Sequence, residues 1–439
     1  MRPRSLFCLA AVLPLLWAAS GGAWAAEETA RFRVAAHDLR LSIGPEDHSL
    51  KGQDRLILSR PVPARGGEIL LLLHQGLDIT RVTPGTAAKA KQGAWGEAAG
   101  WVVSLPAGVR EVLVEYGGLI YDPPRRGQRA GLATETSGII SSEGLFLPHA
   151  YGFMPWEPGG RARVSASVDT EKGFEVVSTG RLAARQLEGR RAACLWETDG
   201  TDDSFLIGGP LKMHEDSAAG GRFYIYLYKE DAGLAPAYAA RLKQLLPFYV
   251  GLLGKYPYEK FAVVENFFPT GYGFPSLTLL GKQVVRLPFV LEGSLAHEFV
   301  HSWWGNSVRP KDSNWVEGLT AYLSDYLLVE RKGPDEARAE RRLMLERYSA
   351  YAGRIEESLA SFTEPGDRLN DALGYTKGAL VFHQLRQWLG DEAFFEGLRI
   401  VAGRHRDGSA SWADLRAAFE ESSGKDLKWF FTQWVEWPG

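Results

Sequence analysis

Two histidines four residues apart flank a glutamate in the sequence HEFVH, where Glu298 follows His297 and precedes His301. The chain of 439 residues contains only nine histidines. Two imidazoles on one face of a helix can hold a zinc ion, and a glutamate next to the first imidazole reaches a water on that metal as its general base. The spacing therefore predicts a zinc site that activates water.

The segment around this motif predicts the helix that such a site needs. In GSLAHEFVHSWWG, the residues Leu295, Phe299, Val300 and Trp303 form an apolar packing face. Residues four apart on a helix share a face, so the two imidazoles point the same way. The alternative is a chance occurrence of the motif in a packed helix, and a third metal ligand is the feature that separates the two interpretations.

A candidate third ligand, Glu317, lies downstream in NWVEGLTAYLSDYLLVE. A second apolar stripe predicts another helix here, with Glu317 in its first turn. A hairpin of the two helices, joined by GNSVRPKDSN, would bring this carboxylate against the imidazoles. A carboxylate is also favoured at a helix N-terminus by the helix dipole alone. Because two histidines precede it, ligation is the preferred interpretation; Asp312 falls in the connection, and Asp325 lies two turns further along.

The motif belongs to the second of two regions with different hydrophobic patterns. From about Arg31 to Gly220, short apolar runs separated by Gly and Pro predict strands. Further along, as in APAYAARLKQLLPFYVGLLG, apolar residues recur three and four apart and predict helices. The chain is also longer than one hydrophobic core usually serves. The sequence therefore predicts an α+β multidomain protein, with a β domain over residues 26–220 and a helical domain over residues 221–439.

The first 25 residues have the pattern of a secretory signal peptide. Arg2 and Arg4 precede an apolar run from Leu6 to about Ala19, and small residues follow up to Ala25. An uncleaved membrane anchor is the alternative, but the run is shorter than the roughly 20 residues that span a bilayer. Cleavage after Ala25 predicts a secreted or periplasmic protein that has no transmembrane helix after signal cleavage.

The charge balance argues against one class of partner. The net charge is −3 for the whole chain, and removing residues 1–25, with two arginines and no acid, makes it −5. Nothing in this balance indicates binding to nucleic acid. Removing the same residues leaves Cys194 as the only cysteine, so a disulfide framework is excluded.

The pair HEFVHSWWGN and NWVEGLTAYL resembles the gluzincin zinc peptidases of the aminopeptidase N family. The resemblance extends to LGYTKGALVFHQLRQWLGDEAF and WFFTQWVEWPG downstream, and to HDLRLSIGPEDHSLKGQDRLIL and LPHAYGFMPWEP upstream. It thus covers the chain from about Ala35 to Gly439. It implies an N-terminal β-sandwich or saddle-like domain, then a thermolysin-like, mainly helical zinc peptidase domain that acts on peptide substrates.

The resemblance also implies the roles of individual residues. His297, His301 and Glu317 are implied as ligands of a zinc cofactor, Glu298 as the general base and Tyr375 as a catalytic oxyanion donor. A phenol aimed at the developing oxyanion stabilises a tetrahedral intermediate. Judged from its surroundings alone, Tyr375 is instead an ordinary amphipathic residue at a helix start.

Two departures from the family pattern affect these expectations. Fifteen residues separate His301 from Glu317, fewer than the family commonly has, and such a change in loop length is tolerated if both helices keep their places. The family's G-A-M-E-N strand, whose glutamate binds the free amino group of the substrate, is replaced by GYGFPSLTLLGK, with Gly273 at the position of that glutamate. The expectation is therefore a metallopeptidase, with exopeptidase and endopeptidase activity both open.

Two alternatives to this reading stay open. One is a true aminopeptidase with a rebuilt amine site, for which Glu265 is the candidate, although a solvated carboxylate at a strand end is the preferred interpretation of that residue. The other is a non-catalytic protein that contains zinc and binds peptides. Glu298 argues against this second alternative, because a structural zinc site needs no base.

Overall fold

The structure is a computed structural model of the chain, and it describes residues 32–90, 98–126, 134–201, 204–364 and 366–438. The predicted signal peptide, residues 1–25, lies outside the described residues. Among the residues that are described, no helix has both the length and the apolar character needed to cross a membrane.

Strands dominate the chain as far as Tyr228. Their alternation of buried and exposed side chains, clearest in Ser49–Leu58, is typical of strands with one face on a core. The strands are β1 Val34–Gly44, β2 Ser49–Leu58, β3 Gly67–His74, β4 Leu77–Thr83, β5 Thr86–Lys89, β6 Ala98–Leu105, β7 Glu111–Leu119, β8 Arg125–Arg126, β9 Thr134–Glu135, β10 Ile139–Ser141, β11 Gly144–Pro148, β12 Ala162–Glu171, β13 Glu175–Ser178, β14 Arg181–Glu188, β15 Arg191–Thr201, β16 Phe205–Gly209, β17 Leu211–Ala218 and β18 Gly221–Tyr228.

Helices dominate the remainder of the chain, with a few further strands. The helices are α1 Ala235–Leu253, α2 Leu295–Val300, α3 Val316–Ala321, α4 Leu327–Glu330, α5 Pro334–Ala352, α6 Arg368–Asp371, α7 Gly378–Leu389, α8 Asp391–Arg404, α9 Trp412–Ser423 and α10 Lys428–Phe431. The strands are β19 Lys260–Asn266, β20 Gly271–Phe274, β21 Leu277–Gly281, β22 Val308–Pro310 and β23 Gly408–Ala410. Short 3₁₀ turns occupy His149–Tyr151 and Ala232–Leu234.

Three sheets enclose the core of the N-terminal region. A seven-stranded sheet has the order β14-β15-β12-β1-β2-β7-β4, a four-stranded sheet the order β10-β11-β16-β13, and a three-stranded sheet the order β3-β6-β5. Leu39, Leu71, Val103 and Leu145, all fully buried, come from all three sheets and share one apolar cluster. Layered sheets around a common core are the arrangement that a sandwich-like β domain requires.

A mixed five-stranded sheet lies between this region and the helices, in the order β17-β18-β19-β21-β20. Its central strand β19 is buried along its whole length and runs parallel to both neighbours, as expected for a strand covered on both faces. One face packs with Phe146 and Phe205 of the four-stranded sheet, and the other packs with helices through Phe261 and Phe299. The strand β20 forms one edge.

The predicted α+β class is confirmed, because a β-rich N-terminal region precedes a region in which helices prevail. The strand β17 lies before the predicted boundary at residues 220 and 221, and it pairs with β18, which lies after it. The five-stranded sheet is thus built from both sides of that boundary. The division of the chain at that point stays a prediction.

Candidate active site

The helix α2 carries the two histidines of the HEFVH motif. It is continuous with a π-helical stretch over Val290–Ser294, and its C-terminal cap is His301. The rings of His297 and His301 are close to perpendicular, and their centroids lie 4.8 Å apart on one face of the helix, as their spacing of one helical turn predicts. Both imidazoles are buried. The chain then turns at Gly305, whose φ of +100° favours glycine, and leads through β22 to α3.

Glu317 reaches the two imidazoles from the first turn of α3. Its Oε2 atom lies 3.5 Å from Nε2 of His297 and 3.6 Å from Nε2 of His301. The three residues are fully buried, and together they form the group in the described part of the chain whose ligand atoms could hold a metal ion, all within 4.8 Å of one another. The predicted hairpin of helices therefore brings this set together.

The donor atoms of this group fit a metal ion. The Nε2 atoms of both histidines and both carboxylate oxygens of Glu317 are buried and have no hydrogen-bond partner among the described residues. The 3.5 Å separation of His297 from Glu317 is thus a charge contact and not a hydrogen bond. Ligands about 2.1 Å from a tetrahedral zinc lie about 3.4 Å apart, close to the spacing seen here. Leaving four such atoms unsatisfied is costly unless a cation binds them.

Hydrogen bonds made by Nδ1 of each histidine fix the orientation of its imidazole ring, and with it the direction of Nε2. Nδ1 of His301 donates to the carbonyl oxygen of Trp304 at 3.0 Å. Nδ1 of His297 donates to Oγ of Ser324 at 3.3 Å, and that hydroxyl donates in turn to the carbonyl oxygen of Thr320 at 2.7 Å. With Nδ1 protonated, each imidazole turns the lone pair of Nε2 towards Glu317.

The carboxylates at this centre shift the pKa values of the residues around them. Burial lowers the pKa of His297, but the carboxylates of Glu317 and Asp325 outweigh it and raise this pKa to about 9. Burial lowers the pKa of His301. Burial alone would raise the pKa of Glu317, yet the two imidazoles hold it below its usual range. The centre therefore attracts positive charge, as a proton on His297 or as a metal ion.

Glu298 stands beside the ligand group and faces the edge strand β20. A Cβ atom at Gly273 would lie 2.7 Å from Oε2 of Glu298 and 3.8 Å from Cβ of His301. The carboxylate of Glu298 therefore occupies the space that a side chain at position 273 would take. Burial raises the pKa of Glu298 to about 7. The predicted base thus lies at the centre, directly under a strand with no side chain at this point.

Tyr375 also lies close to the ligand group. It belongs to a π-helical stretch over Ala372–Lys377 that leads into α7, and its ring lies 6.3 Å from the ring of His297. Burial and the negative charge of Glu317 raise the pKa of Tyr375 well above its usual value. The phenol therefore keeps its proton and can donate it in a hydrogen bond.

Glu265 does not lie in the solvent-exposed position that its sequence context predicts. Its side chain is 1% exposed, so the interpretation as a solvated carboxylate is wrong, because β19 is covered on both faces. Its Oε2 atom accepts a hydrogen bond from the backbone N–H of Tyr228 at 2.8 Å. It also interacts with Asp231, which pairs with Arg286 at 2.7 and 2.8 Å. These contacts tie Glu265 to the connection between β18 and α1.

Sequence reasoning missed the residues that support the site. Ser324 lies seven residues after Glu317, and this spacing of two turns was a usable signal for a shared helix face. Lys260, 1% exposed, donates to Oγ and to the carbonyl oxygen of Ser276 at 2.9 and 3.4 Å, in the turn between β20 and β21. A lone lysine at a strand start carries no local signal of this contact.

Comparison with known proteins finds similarity to a family in the helical part of the chain. Residues 291–434 match the peptidase family M1 domain. Aminopeptidase N of Lactococcus lactis subsp. lactis is 32% identical over 155 residues, which are 33% of this chain and 18% of that protein. Aminopeptidase N of Caulobacter vibrioides is 26% identical over 344 residues, 69% of this chain and 39% of that protein. The chain thus spans less than half the length of these relatives.

Solved structures extend the similarity to the whole fold. An M1 zinc metallopeptidase from Deinococcus radiodurans superposes with a TM-score of 0.67 at 19% identity, over 92% of this chain and 94% of that one. A variant of the Deinococcus protein bound to a Tyr-Ser-Ala substrate gives a TM-score of 0.65 at 19% identity, with the same coverage. Residues 291–434 are thus similar to the peptidase family M1 domain, and the chain has the fold of the two-domain M1 zinc metallopeptidases.

Proposed function

We propose that this protein is a zinc-dependent metallopeptidase that hydrolyses peptide bonds with Glu298 as its general base. One observation carries the proposal. Buried atoms of His297, His301 and Glu317 that could bind a metal, and that have no hydrogen-bond partner among the described residues, come together beside the Glu298 carboxylate. A structural zinc site is closed by four protein ligands, whereas a catalytic one has three and an open position. The described residues offer three ligands, in keeping with a catalytic site.

Each residue has a distinct part in this chemistry. His297, His301 and Glu317 would hold the zinc, which when bound acidifies a water molecule and polarises the carbonyl of a scissile peptide. Glu298 accepts the proton of the attacking water and passes it to the leaving amine; burial, which raises its pKa to about 7, makes it a stronger base. Tyr375 donates a hydrogen bond to the oxyanion of the tetrahedral intermediate.

The edge strand β20 is suited to an extended peptide. It is the last strand of the five-stranded sheet, and the edge of a sheet is where an extended peptide can add as a further strand. At Gly273 it passes directly over the Glu298 carboxylate. A peptide paired with this strand would therefore present a carbonyl group close to the base and the metal ligands.

Incubation with a mixed peptide library tests the proposal directly. We expect mass spectrometry to detect cleavage products, metal analysis to find about one zinc per chain, and a chelator to stop cleavage until zinc is restored. Zinc binding without any cleavage would favour the alternative of a non-catalytic, zinc-containing peptide-binding protein. A protein that takes up no zinc after supplementation would contradict both.

Replacement of Tyr375 by phenylalanine is expected to lower kcat on the order of a hundredfold with little change in KM. The variant loses one oxyanion donor, which contributes to the transition state and not to binding of the ground state. Steady-state kinetics on a peptide cleaved by the wild-type protein measure both constants. An unchanged kcat would return Tyr375 to a packing role.

We further propose that the protein does not select strictly for a free amino terminus. Selection of an ammonium group requires a buried carboxylate partner, and the loss of one side of a desolvated charge pair costs several kcal/mol. Gly273 supplies no such partner, and the carboxylates of Glu298 and Glu317 already face the metal centre. We therefore expect N-acetylated peptides to be cleaved about as well as free ones, with products longer than single amino acids.

Matched peptides with free and acetylated termini, compared by kcat/KM, check this expectation. A preference for the free terminus above roughly a hundredfold, or about 2.7 kcal/mol, would indicate a true aminopeptidase with a rebuilt amine site. Replacement of Glu265 by glutamine would then be the first variant to test, although its contacts with Tyr228 and Asp231 argue against that role.

We also propose export, as a secreted or periplasmic protein. The proposal rests on the two arginines and the apolar run at the start of the sequence. Sequencing the N-terminus of the protein recovered from the medium or the periplasm should give a start after Ala25. Recovery of the full-length chain in the membrane fraction would instead indicate an uncleaved anchor.

A further inference from the structure

Two glycines meet where the helix of Glu317 crosses the helix that follows Tyr375. A Cβ atom at Gly318, in α3, would lie 2.7 Å from Cα of Gly378 and 2.8 Å from the carbonyl oxygen of Gly374. A Cβ atom at Gly378, the first residue of α7, would lie 2.8 Å from Cα of Gly318. Carbon atoms that are not bonded rest about 3.5 to 4.0 Å apart. The two helices therefore touch backbone to backbone, with no room for a methyl group from either side.

The crossing lies next to two residues of the candidate site. Gly318 directly follows Glu317, and Gly378 lies three residues after Tyr375. The Tyr375 ring lies 6.3 Å from the ring of His297, so Tyr375 from one helix and Glu317 from the other lie at the same group of metal ligands. The separation of the two backbones at the glycines therefore sets how far the phenol stands from the ligand group.

A second contact limits how the two helices can move apart. Arg386, two turns further along α7, donates to Glu330 at 2.6 Å and to the hydroxyl of Tyr322 at 3.1 Å, both on the continuation of α3. These hydrogen bonds hold the two helices together at the end away from Tyr375. A methyl group inserted at the glycines would therefore displace the end that carries Tyr375 and leave the Arg386 end in place.

We propose that Gly318 and Gly378 are positioning residues, which hold the Tyr375 hydroxyl at its working distance from the metal centre. This inference rests on the proposed function, in which Tyr375 is the oxyanion donor. The glycines touch no substrate; they act through the close approach that only a residue without a side chain permits.

Gly378→Ala is the first variant to test, because it acts on the Tyr375 side of the crossing. Restoring ordinary contact needs a shift of about 1 Å, and a misplacement of that size can lower a rate about a hundredfold. We expect kcat to fall between about tenfold and a hundredfold, with KM and zinc content unchanged. Affinity for a phosphinic peptide, which resembles the tetrahedral intermediate, should fall in calorimetry by a similar factor.

A double-mutant comparison shows whether the glycine acts through Tyr375. In the Tyr375→Phe background, Gly378→Ala should cost little further activity, because the group that it displaces is already absent. Gly403→Ala is the matched control: Gly403 lies in α8, a Cβ there meets no atom within 4 Å, and kcat should equal that of the wild type. Gly318→Ala inserts the same methyl group from the other helix and replaces Gly378→Ala if that variant does not fold.

The outcomes separate the inference from the function on which it rests. A normal kcat for Gly378→Ala, or an equal loss with and without the Tyr375 hydroxyl, overturns the positioning role. A loss of bound zinc in both glycine variants also overturns it, because the crossing would then serve the ligands. If Tyr375→Phe alone keeps full activity, the assigned role of Tyr375 is wrong, and the inference falls with it.

Discussion

Glu298→Gln should bind zinc as the wild-type protein does and hydrolyse peptides on the order of a thousandfold more slowly. Glutamine has nearly the same size and shape as glutamate, but it cannot accept the proton of the attacking water. A thousandfold loss corresponds to about 4 kcal/mol in the activation barrier. Metal content should not change, because the ligand group consists of His297, His301 and Glu317 without Glu298.

The same substitution at Glu292 is a suitable control for this variant. Glu292 precedes the motif in the π-helical stretch Val290–Ser294, and its side chain is exposed. Glu292→Gln should therefore keep wild-type kcat and zinc content. If Glu298→Gln cleaves peptides at the wild-type rate, the water is activated by another group and the assigned mechanism is wrong.

Glu317→Ala should lose the metal and, with it, both activity and stabilisation by zinc. The carboxylate is fully buried beside two imidazoles and is the one anionic ligand of the group, so alanine leaves only the two imidazoles to hold the ion. Loss of a supporting contact behind a ligand typically weakens metal binding 10- to 100-fold, and we expect the loss of the ligand itself to exceed this. Metal analysis after dialysis measures the difference.

Thermal unfolding gives a readout of this variant that does not depend on activity. Zinc that binds only the folded state raises the melting temperature of the wild-type protein, whereas Glu317→Ala should melt at the same temperature with and without added zinc. Glu346→Ala, an exposed position on α5, should behave as the wild type in both measurements. Full zinc binding by Glu317→Ala would remove Glu317 from the ligand group.

The local sequence pattern was enough to predict the features that depend only on residues close together in the chain. The spacing of His297 and His301 puts both imidazoles on one helix face, and the first turn of α3 carries Glu317 as predicted. The short apolar runs separated by Gly and Pro likewise indicated the β-rich first half. These features follow from the periods of the helix and the strand, which any short window of sequence contains.

Contacts between distant elements were decided only by the tertiary structure. Glu265 is buried and not solvated as predicted, because the residues that cover both faces of β19 come from distant parts of the chain. The hydrogen bond from His297 to Ser324 and the contact of Gly318 with Gly378 also join separate segments. The physical reason is that the distance between two backbones depends on how whole helices and strands pack against each other. The periodicity of a sequence indicates only which side chains of one helix or strand share a face.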